Sequence, residues 1–241
     1  MNTNRREWLA GLSSLGAGAI LIGCTRTAPN EANEGRKNNA DDKPEVTATE
    51  DLMREHGVLR RALLVYQESA MKLRSAANVP SQPLQKTAKL FRAFGEEYHE
   101  KKLEEVYIFP AVKKAGGVAD GYADVLVAQH QRGREITDFI IAATAGPRLA
   151  AADVQTFAAA LEGLVRMYEH HAAIEDTIIF PAWKETLSAG NLDEMNEKFE
   201  EIEHEQFGED GFESALKQMA EIEQSLGLSD LAQFTAPAPP R

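Results

Sequence analysis

Two matching stretches decide the fold of this chain: EYHEKKLEEVYIFP, residues 97–110, and YEHHAAIEDTIIFP, residues 168–181. Each carries a histidine, then a glutamate about one helical turn later, and then a Phe-Pro ending. In the second stretch His171 and Glu175 are four residues apart, which leaves them only about 40° apart around an α-helix. An imidazole and a carboxylate on one helical face can share a metal, and two such helices facing each other in a bundle make a two-metal site.

The distribution of the histidines also favours a buried metal site. Each one falls inside a segment that is predicted to be helical, and each of four long helices supplies at least one. A single helical histidine is more often a core or surface residue than a ligand, but four contributing helices, two with a spaced glutamate, favour ligation. The six histidines are His56, His99, His130, His170, His171 and His204.

Composition narrows the class of protein and the kind of metal ligand. Among the 241 residues, 43% are hydrophobic and 27% are charged, which is typical of a globular protein. The excess of 38 acidic over 26 basic residues argues against nucleic acid as a partner, because phosphate binding needs a basic face. With a single cysteine the chain has neither an intrachain disulfide nor a multi-thiolate metal site. The available ligands are therefore imidazoles and carboxylates, which suit iron, manganese or zinc.

Residues 1–24 are predicted to be a targeting segment. Paired arginines at positions 5 and 6 precede an apolar run, Leu9–Ile22, that is too short to span a membrane comfortably. This arrangement resembles a twin-arginine signal, which exports folded proteins. The run ends in Leu-Ile-Gly-Cys, which resembles a lipoprotein signal with Cys24 as the acylated residue. The alternative is a plain cleaved signal with an incidental cysteine. We therefore expect export to the cell envelope and a lipid anchor at Cys24.

The remaining chain is predicted to be all-α after a flexible linker at residues 25–46, which are polar and poor in large apolar side chains. Helices are predicted at residues 49–76, 84–113, 119–144, 152–188, 192–207 and 212–226. Their breaks are expected at Pro80 and Pro83, at Gly116-Gly117, at Ala145-Gly146-Pro147 and at Gly190-Asn191. The helical domain extends over residues 47–234, and the proline-rich residues 235–241 are predicted to be a disordered tail.

With these residues in view, the chain resembles a bacterial hemerythrin-like protein of the HHE cation-binding type. The resemblance covers about residues 50–234 and rests on the two Phe-Pro stretches together with EDLMREHGVLRRALL (50–64), VAQHQRGREIT (127–137) and EEIEHEQFGEDGFE (200–213). It implies an up-and-down four-helix bundle, with one or two extra C-terminal helices, around a non-haem di-iron centre that binds O₂.

The resemblance also implies a set of metal ligands. The first and third helices would each supply one histidine, and the second and fourth would each supply a histidine and a glutamate. Carried over residue by residue, the ligands of the two iron ions would be His56, His99, Glu104, His130, His171 and Glu175. Glu104 and Glu175 would be the bridging carboxylates. Open coordination positions would take O₂, peroxide or water.

The first motif departs from the family pattern, because His99 and Glu104 are five residues apart instead of four. On a regular α-helix that spacing places them roughly 140° apart, too far round to share a site easily. We predict a π-bulge between Tyr98 and Glu105, since such bulges absorb one extra residue and occur at functional sites. If the helix were regular instead, Glu100 would be the substitute carboxylate.

Two further histidines leave alternatives open. His170 adjoins the implied ligand His171 and repeats the five-residue spacing of the first motif, so it is a second candidate ligand; the alternative is a solvent-facing residue or one that supports a ligand. His204 lies outside the four-helix set and would either add a nitrogen ligand or pack its helix onto the bundle.

Three functions fit this reading. The first is reversible binding, storage or sensing of O₂ or a related small oxidant at the cell envelope. The second is enzymatic, with the same centre acting on peroxide, nitric oxide or ferrous iron. The third is a zinc-bound or metal-free helical scaffold at the membrane surface. The sequence identifies no protein partner, and an O₂ carrier and a di-iron enzyme would share the same ligands.

Overall fold

A computed structural model describes residues 46–150, 153–208 and 210–240. Within these ranges the fold is all-α and contains no strand, as predicted. The predicted leader with Cys24 and nearly all of the predicted linker lie outside the described residues, so those predictions stay untested. None of the described helices combines the length and apolar character needed to cross a membrane.

The first helix, α1 (Ala48–Arg74), begins at a capping box. The Thr47 side chain accepts a hydrogen bond from the Glu50 backbone amide, and the Glu50 carboxylate accepts one from the Thr47 backbone amide. This reciprocal pair satisfies two amides that would otherwise lack an intrahelical partner. Leucines spaced at helical intervals then place one face of α1 in the core, and His56 lies on that buried face.

The second helical run comprises α2 (Ser81–Leu90), a π-helical segment (Phe91–Ile108) and α3 (Phe109–Ala115). It ends at Gly116, whose φ of 73° closes the helix as predicted. The expectation that Pro83 would break the chain ahead of this helix is wrong. Pro83 lies in the first turn of α2, where the missing N–H costs nothing because that position has no intrahelical acceptor.

The third run is α4 (Asp120–Ala143), and the fourth comprises α5 (Val154–Ile174), a short π-helical segment (Glu175–Ile179) and α6 (Phe180–Glu185). Two more helices follow, α7 (Ala189–Phe207) and α8 (Gly211–Leu226), and then a 3₁₀ turn (Leu231–Phe234).

The predicted break at Gly190-Asn191 is misplaced. Both residues lie inside α7, whose N-cap is Ser188; the Ser188 side chain accepts a hydrogen bond from the backbone amide of Asn191. A serine that can cap the new helix therefore sets its start, and the glycine two residues later is accommodated in the first turn.

The four long runs form an up-and-down bundle. Each run packs against the next along the chain, and α5 returns to pack along α1. The C-terminal helices add to this bundle: α7 contacts α1 and the long π-helical segment, while α8 contacts α1 and α2. Arg61 on α1 joins α8 through two hydrogen bonds to the Glu223 carboxylate, at 2.8 and 2.6 Å.

The bundle interior is apolar over most of its length and polar at one level. Its fully buried aromatic side chains include Tyr66, Tyr98, Phe91, Phe94, Phe109, Phe157, Phe180 and Trp183. Among them lies a group of histidines and glutamates drawn from all four long runs. Buried ionisable groups are costly unless they are paired or coordinate a metal, so this group marks the functional site.

Candidate metal centre

Six histidine and glutamate side chains converge at the polar level of the bundle interior. Each is at most 3% exposed. They are the residues that the resemblance implied as ligands: His56 from α1, His99 and Glu104 from the long π-helical segment, His130 from α4, and His171 and Glu175 from the fourth run.

The four imidazoles form two facing pairs. In the first histidine pair, His56 Nε2 and His99 Nε2 lie 3.0 Å apart. In the second histidine pair, His130 Nε2 and His171 Nε2 are also 3.0 Å apart. The centre therefore has two nitrogen-rich positions, one at each pair.

The carboxylate of Glu104 connects these two positions. Its Oε1 lies 3.3 Å from Nε2 of His99, and its Oε2 lies 3.3 Å from Nε2 of His130. The carboxylate of Glu175 is placed in the same way, with Oε2 3.5 Å from Nε2 of His56 and Oε1 2.9 Å from Nε2 of His171. Each carboxylate thus directs one oxygen toward each histidine pair, the arrangement of a bridging ligand.

The helix geometry explains how His99 reaches the centre. The segment Phe91–Ile108 is π-helical, so the predicted π-bulge is confirmed and extends further than expected. Its i to i+5 hydrogen bonding brings residues five apart onto one face, which aligns His99 with Glu104. A second π-helical stretch, Glu175–Ile179, lies within the other motif and begins at its glutamate; it was not predicted.

Each of the four histidines is held at Nδ1 by an oxygen of another side chain. The pairs are His56 with Asp176 (2.7 Å), His99 with Glu55 (2.6 Å), His130 with Glu105 (2.9 Å) and His171 with Gln129 (2.9 Å). When neutral, each imidazole therefore carries its hydrogen on Nδ1 and directs the Nε2 lone pair into the centre. This is the tautomer that binds metals through Nε2.

The donor set calls for a cation. When all four imidazoles are neutral and carry their hydrogens on Nδ1, the Nε2 lone pairs of each histidine pair face each other at 3.0 Å. Among the described residues, none forms a hydrogen bond with either buried oxygen of Glu104 or Glu175. Unsatisfied buried acceptors are strongly destabilising, and a metal ion at each position would satisfy them. The ligand atoms of Glu104, His130, His171 and Glu175 lie within 4.8 Å of one another, as do those of His56, His99 and Glu104.

The pKa shifts of the cluster show which of its residues bind protons more readily than usual and which bind them less readily. Burial and the neighbouring Glu104 carboxylate raise the pKa of Glu175 well above its usual range. Burial opposes ionisation of Glu104 too, but His99 and His130 hold the pKa of Glu104 well below its usual range. Burial lowers the pKa of His171 to about 3, with the charge on His130 adding to the effect. Protons and metal ions therefore compete for this set of ligands.

Two arginines anchor the groups behind the histidines. Arg60 binds Asp176 at 2.7 Å, and Arg134 binds Glu105 at 2.6 Å. These ion pairs fix the orientation of the acceptors for His56 and His130, respectively. Arg134 also reaches Glu100 at 3.2 Å.

A small cavity of about 10 Å³ adjoins the centre. That volume holds roughly one water-sized molecule. Its apolar wall consists of Leu59, Leu63 and Ala172, and its polar wall includes Tyr168 and Glu100 beside ligand residues from both histidine pairs. The cavity offers a small ligand direct access to the cluster.

The remaining candidate residues lie outside the cluster. Glu100 is buried beside the cluster and accepts a hydrogen bond from the Tyr168 hydroxyl at 2.7 Å; its carboxylate also lies in a third group of possible ligand atoms, with Glu105 and His130. Since His99 reaches the centre, Glu100 does not substitute for it. His170 and His204 are exposed and belong to none of the three groups of converging ligand atoms among the described residues. The alternative that His204 packs α7 onto the bundle is also wrong, because Phe199 and Ile202 are the apolar residues buried there.

Sequence reasoning missed the acceptors behind the histidines. Glu55 and Gln129 directly precede His56 and His130, while Glu105 and Asp176 directly follow Glu104 and Glu175. The repetition of polar residues at these positions was the available signal. Its meaning depends on contacts between helices, which helical spacing alone does not give.

Comparison with known proteins agrees with this geometry. The model of the hemerythrin HHE cation-binding domain matches residues 47–183 and again residues 123–234. Uncharacterized proteins of Mycobacterium tuberculosis and Mycobacterium bovis are each 43% identical to the chain over 235 residues, covering 95% of this chain and 90% of the relative. No solved structure matches the chain significantly. The chain therefore belongs to the hemerythrin HHE cation-binding domain family, and its buried histidine and glutamate cluster fits a metal-binding helical bundle.

Proposed function

We propose that this protein is a non-haem di-iron protein of the hemerythrin type, which binds O₂ or a related small oxidant inside its helix bundle. The observation that carries the proposal is the symmetric donor set. Two facing imidazole pairs are joined by two carboxylates, each of which directs one oxygen toward each pair. This donor set can hold two cations. A single cation would leave one oxygen of each bridging carboxylate unused.

The donor types favour iron among the candidate metals. Imidazole and carboxylate ligands suit iron in both of its common oxidation states, and the four-helix bundle with inward carboxylates is the usual scaffold of di-iron centres. Iron, when bound, supplies the electrons that O₂ or peroxide accepts. The chain supplies the ligands, fixes their tautomers through Nδ1 and keeps the centre away from bulk water.

The cavity beside the centre suits a diatomic ligand. Its volume of about 10 Å³ favours a very small ligand, and Leu59, Leu63 and Ala172 give it an apolar wall. An apolar wall favours an apolar molecule such as O₂ over water. These features support O₂ as a ligand.

An enzymatic role is the second candidate, favoured by the polar wall of the same cavity. Tyr168 and Glu100 both line the cavity, and the Tyr168 hydroxyl donates a hydrogen bond to Glu100. A hydroxyl and a carboxyl group in contact with a bound ligand can deliver a proton to it, which reduction of peroxide requires and reversible O₂ binding does not. Nitric oxide and ferrous iron are further candidate substrates of such an enzyme.

The metal and the ligand are tested together. We expect purified protein reconstituted with ferrous iron to hold two ions per chain and to develop a visible absorption band under O₂ that disappears when O₂ is removed. His171→Ala and Glu175→Ala should lower the iron content and abolish that band, while exchange of the exposed His170 for alanine should change neither. Sustained turnover of hydrogen peroxide would favour the enzyme. Stoichiometric zinc or only trace metal in protein purified with its native metal would contradict the proposal and favour the scaffold.

We also propose that the protein is exported and anchored at the cell envelope through a lipid on Cys24. The support is the sequence of residues 1–24, in which paired arginines, a short apolar run and the only cysteine follow one another. The experiment is cell fractionation of the wild type and the Cys24→Ser variant. We expect the wild type in the membrane fraction and the variant outside it; identical fractionation of the two would contradict the anchor.

A further inference from the structure

The centre is built from two repeats of one pattern. REHGVLRR (54–61) and AQHQRGRE (128–135) each place a ligand histidine four residues ahead of an arginine. LEEVYIFP (103–110) and IEDTIIFP (174–181) each place a bridging glutamate directly before an acidic residue and five residues ahead of the Phe-Pro pair. The two metal positions therefore have corresponding residues that can be compared one by one.

Most corresponding contacts match. Asp176 accepts from His56 and binds Arg60, just as Glu105 accepts from His130 and binds Arg134. The rings of Phe180 and Phe109 lie 5.3 and 5.5 Å from the imidazoles of His56 and His130. These residues give the two positions the same support.

One pair of corresponding residues breaks the match. The residue before His56 is Glu55, and the residue before His130 is Gln129. Each accepts the Nδ1 hydrogen of the other histidine in its pair, His99 and His171 respectively. The distances are 2.6 Å for His99 to Glu55 and 2.9 Å for His171 to Gln129. Glu55 is only 1% exposed, and among the described residues no lysine or arginine forms an ion pair with it. His99 is thus backed by a buried carboxylate, whereas His171 is backed by a neutral amide.

The supporting side chains have the same total charge at the two metal positions. The difference between the positions therefore depends on which side chain carries the negative charge. The first pair has two supporting carboxylates, Glu55 and Asp176, and one arginine, Arg60, which binds Asp176; the second pair has Glu105 and Glu100 and one arginine, Arg134, which binds both. At the first pair the carboxylate without a lysine or arginine partner among the described residues is Glu55, and it accepts a hydrogen bond directly from the ligand imidazole of His99. At the second pair the corresponding carboxylate is Glu100, which lies 4.0 Å from His130 Nδ1. It accepts from Tyr168, as Glu55 accepts from Tyr98, and from Arg134, but from no ligand imidazole. A carboxylate bonded to Nδ1 makes the imidazole a stronger donor to metal than an amide does.

We infer that the two metal positions are unequal: the position at His56 and His99 binds its ion more tightly and fills first. This inference rests on the proposed two-metal function and deepens it. Glu55 and Gln129 set the difference by acting through His99 and His171, and they are therefore positioning residues.

The experiment is an anaerobic calorimetric titration of the metal-free protein with ferrous iron. The wild type should bind two ions in separate steps. Two separate binding steps would not by themselves show unequal positions, because two adjacent cations repel each other in any such centre. The variants decide. His99→Ala should lose the tighter step, whereas His171→Ala should keep it and lose the weaker step.

The matched exchanges Glu55→Gln and Gln129→Glu test the cause. Exchanges behind metal ligands typically change affinity by about 10- to 100-fold. Glu55→Gln should weaken the tighter step by roughly this factor, and Gln129→Glu should strengthen the weaker step similarly. Both exchanges conserve side-chain shape, and either one alone tests the inference if the other variant fails to fold.

The outcomes separate this inference from the proposed function. Two ions bound with constants that neither exchange alters, or equal affinities in His99→Ala and His171→Ala, would overturn the inequality and leave the two-metal centre standing. One ion or none in the wild type would overturn the two-metal function itself.

Discussion

His99 and Glu104 share one face of their helix although they are five residues apart, and His99 Nε2 lies 3.3 Å from Glu104 Oε1. The reason is the π-helical hydrogen bonding of Phe91–Ile108. On a regular α-helix the two side chains would lie about 140° apart around the axis. The local backbone, as much as the residue types, therefore brings the second helical run into the centre.

Exchange of His99 for alanine should lower the iron content from two ions per chain to one, because it removes one nitrogen of the first histidine pair. Glu100→Gln should leave the content at two, since Glu100 accepts from Tyr168 and Arg134 outside the donor set. Elemental analysis of the iron-loaded variants gives both values. If Glu100→Gln lost an ion while His99→Ala kept both, Glu100 would be the ligand and the helix would be regular in solution.

Much of this architecture follows from the sequence for physical reasons. The capping box at Thr47 and the glycines at 116 and 117 mark helix ends through local hydrogen bonding, which sequence spacing captures. The start of α7 at Ser188 was missed because a capping serine and a nearby glycine gave competing signals.

The candidate site was likewise predictable only in part. Helical spacing and the family resemblance indicated which residues converge. The pairing of Glu55 with His99, and of Gln129 with His171, depends on how two helices are rotated against each other. Spacing within one helix contains no information on that rotation.

Exchange of Gly133 for alanine should destabilise the protein by about 1–3 kcal/mol, the usual cost of overpacking a core. A Cβ at this position would overlap the hydroxyl of Tyr168. Tyr168 would have to move and lose its hydrogen bond to Glu100. Denaturant unfolding measures the change.

Gly163→Ala is the matched control, because it lies on α5 like Tyr168 and a Cβ there meets open space. This exchange should stabilise the helix by up to about 1 kcal/mol. A neutral Gly133→Ala variant would show that Tyr168 does not approach α4 as closely as described.

Metal affinity should rise with pH. Burial lowers the pKa of His130, but Glu100, Glu104 and Glu105 outweigh it and raise the pKa to about 10. The pKa of Glu175 is raised as well. A pKa of about 10 keeps His130 protonated at neutral pH, and the raised pKa of Glu175 favours its protonated form; each must lose its proton to bind a metal.

Affinity should therefore increase continuously from about pH 6 to about pH 8, with release of protons on binding. Calorimetry in two buffers of different ionisation enthalpy counts these protons. The His130→Ala variant should release fewer. Binding that is independent of pH and of buffer would contradict the description of a proton-loaded centre.

Glu96 should make the free energy of unfolding fall as pH rises, whereas metal affinity should increase with pH. Burial raises its pKa from 4.5 to about 7, with Glu100 adding to the rise and the Thr137 hydroxyl and Arg92 opposing it. Between these values the folded state binds more protons than the unfolded state, so the free energy of unfolding falls as pH rises. The fall attributable to Glu96 is at most about 3 kcal/mol.

Glu96→Gln should remove this contribution while keeping the shape of the side chain. The free energy of unfolding of the wild type minus that of the variant should decline as pH rises from about 4.5 to about 7 and stay constant above that range. A difference that stays constant through the same range would show that Glu96 titrates normally.

The most direct test of the central claim is anomalous diffraction at the iron absorption edge from crystals of iron-loaded protein. We predict two peaks between the carboxylates of Glu104 and Glu175, one beside His56 and His99 and the other beside His130 and His171. A single peak, or iron bound away from these six side chains, would contradict the two-metal centre.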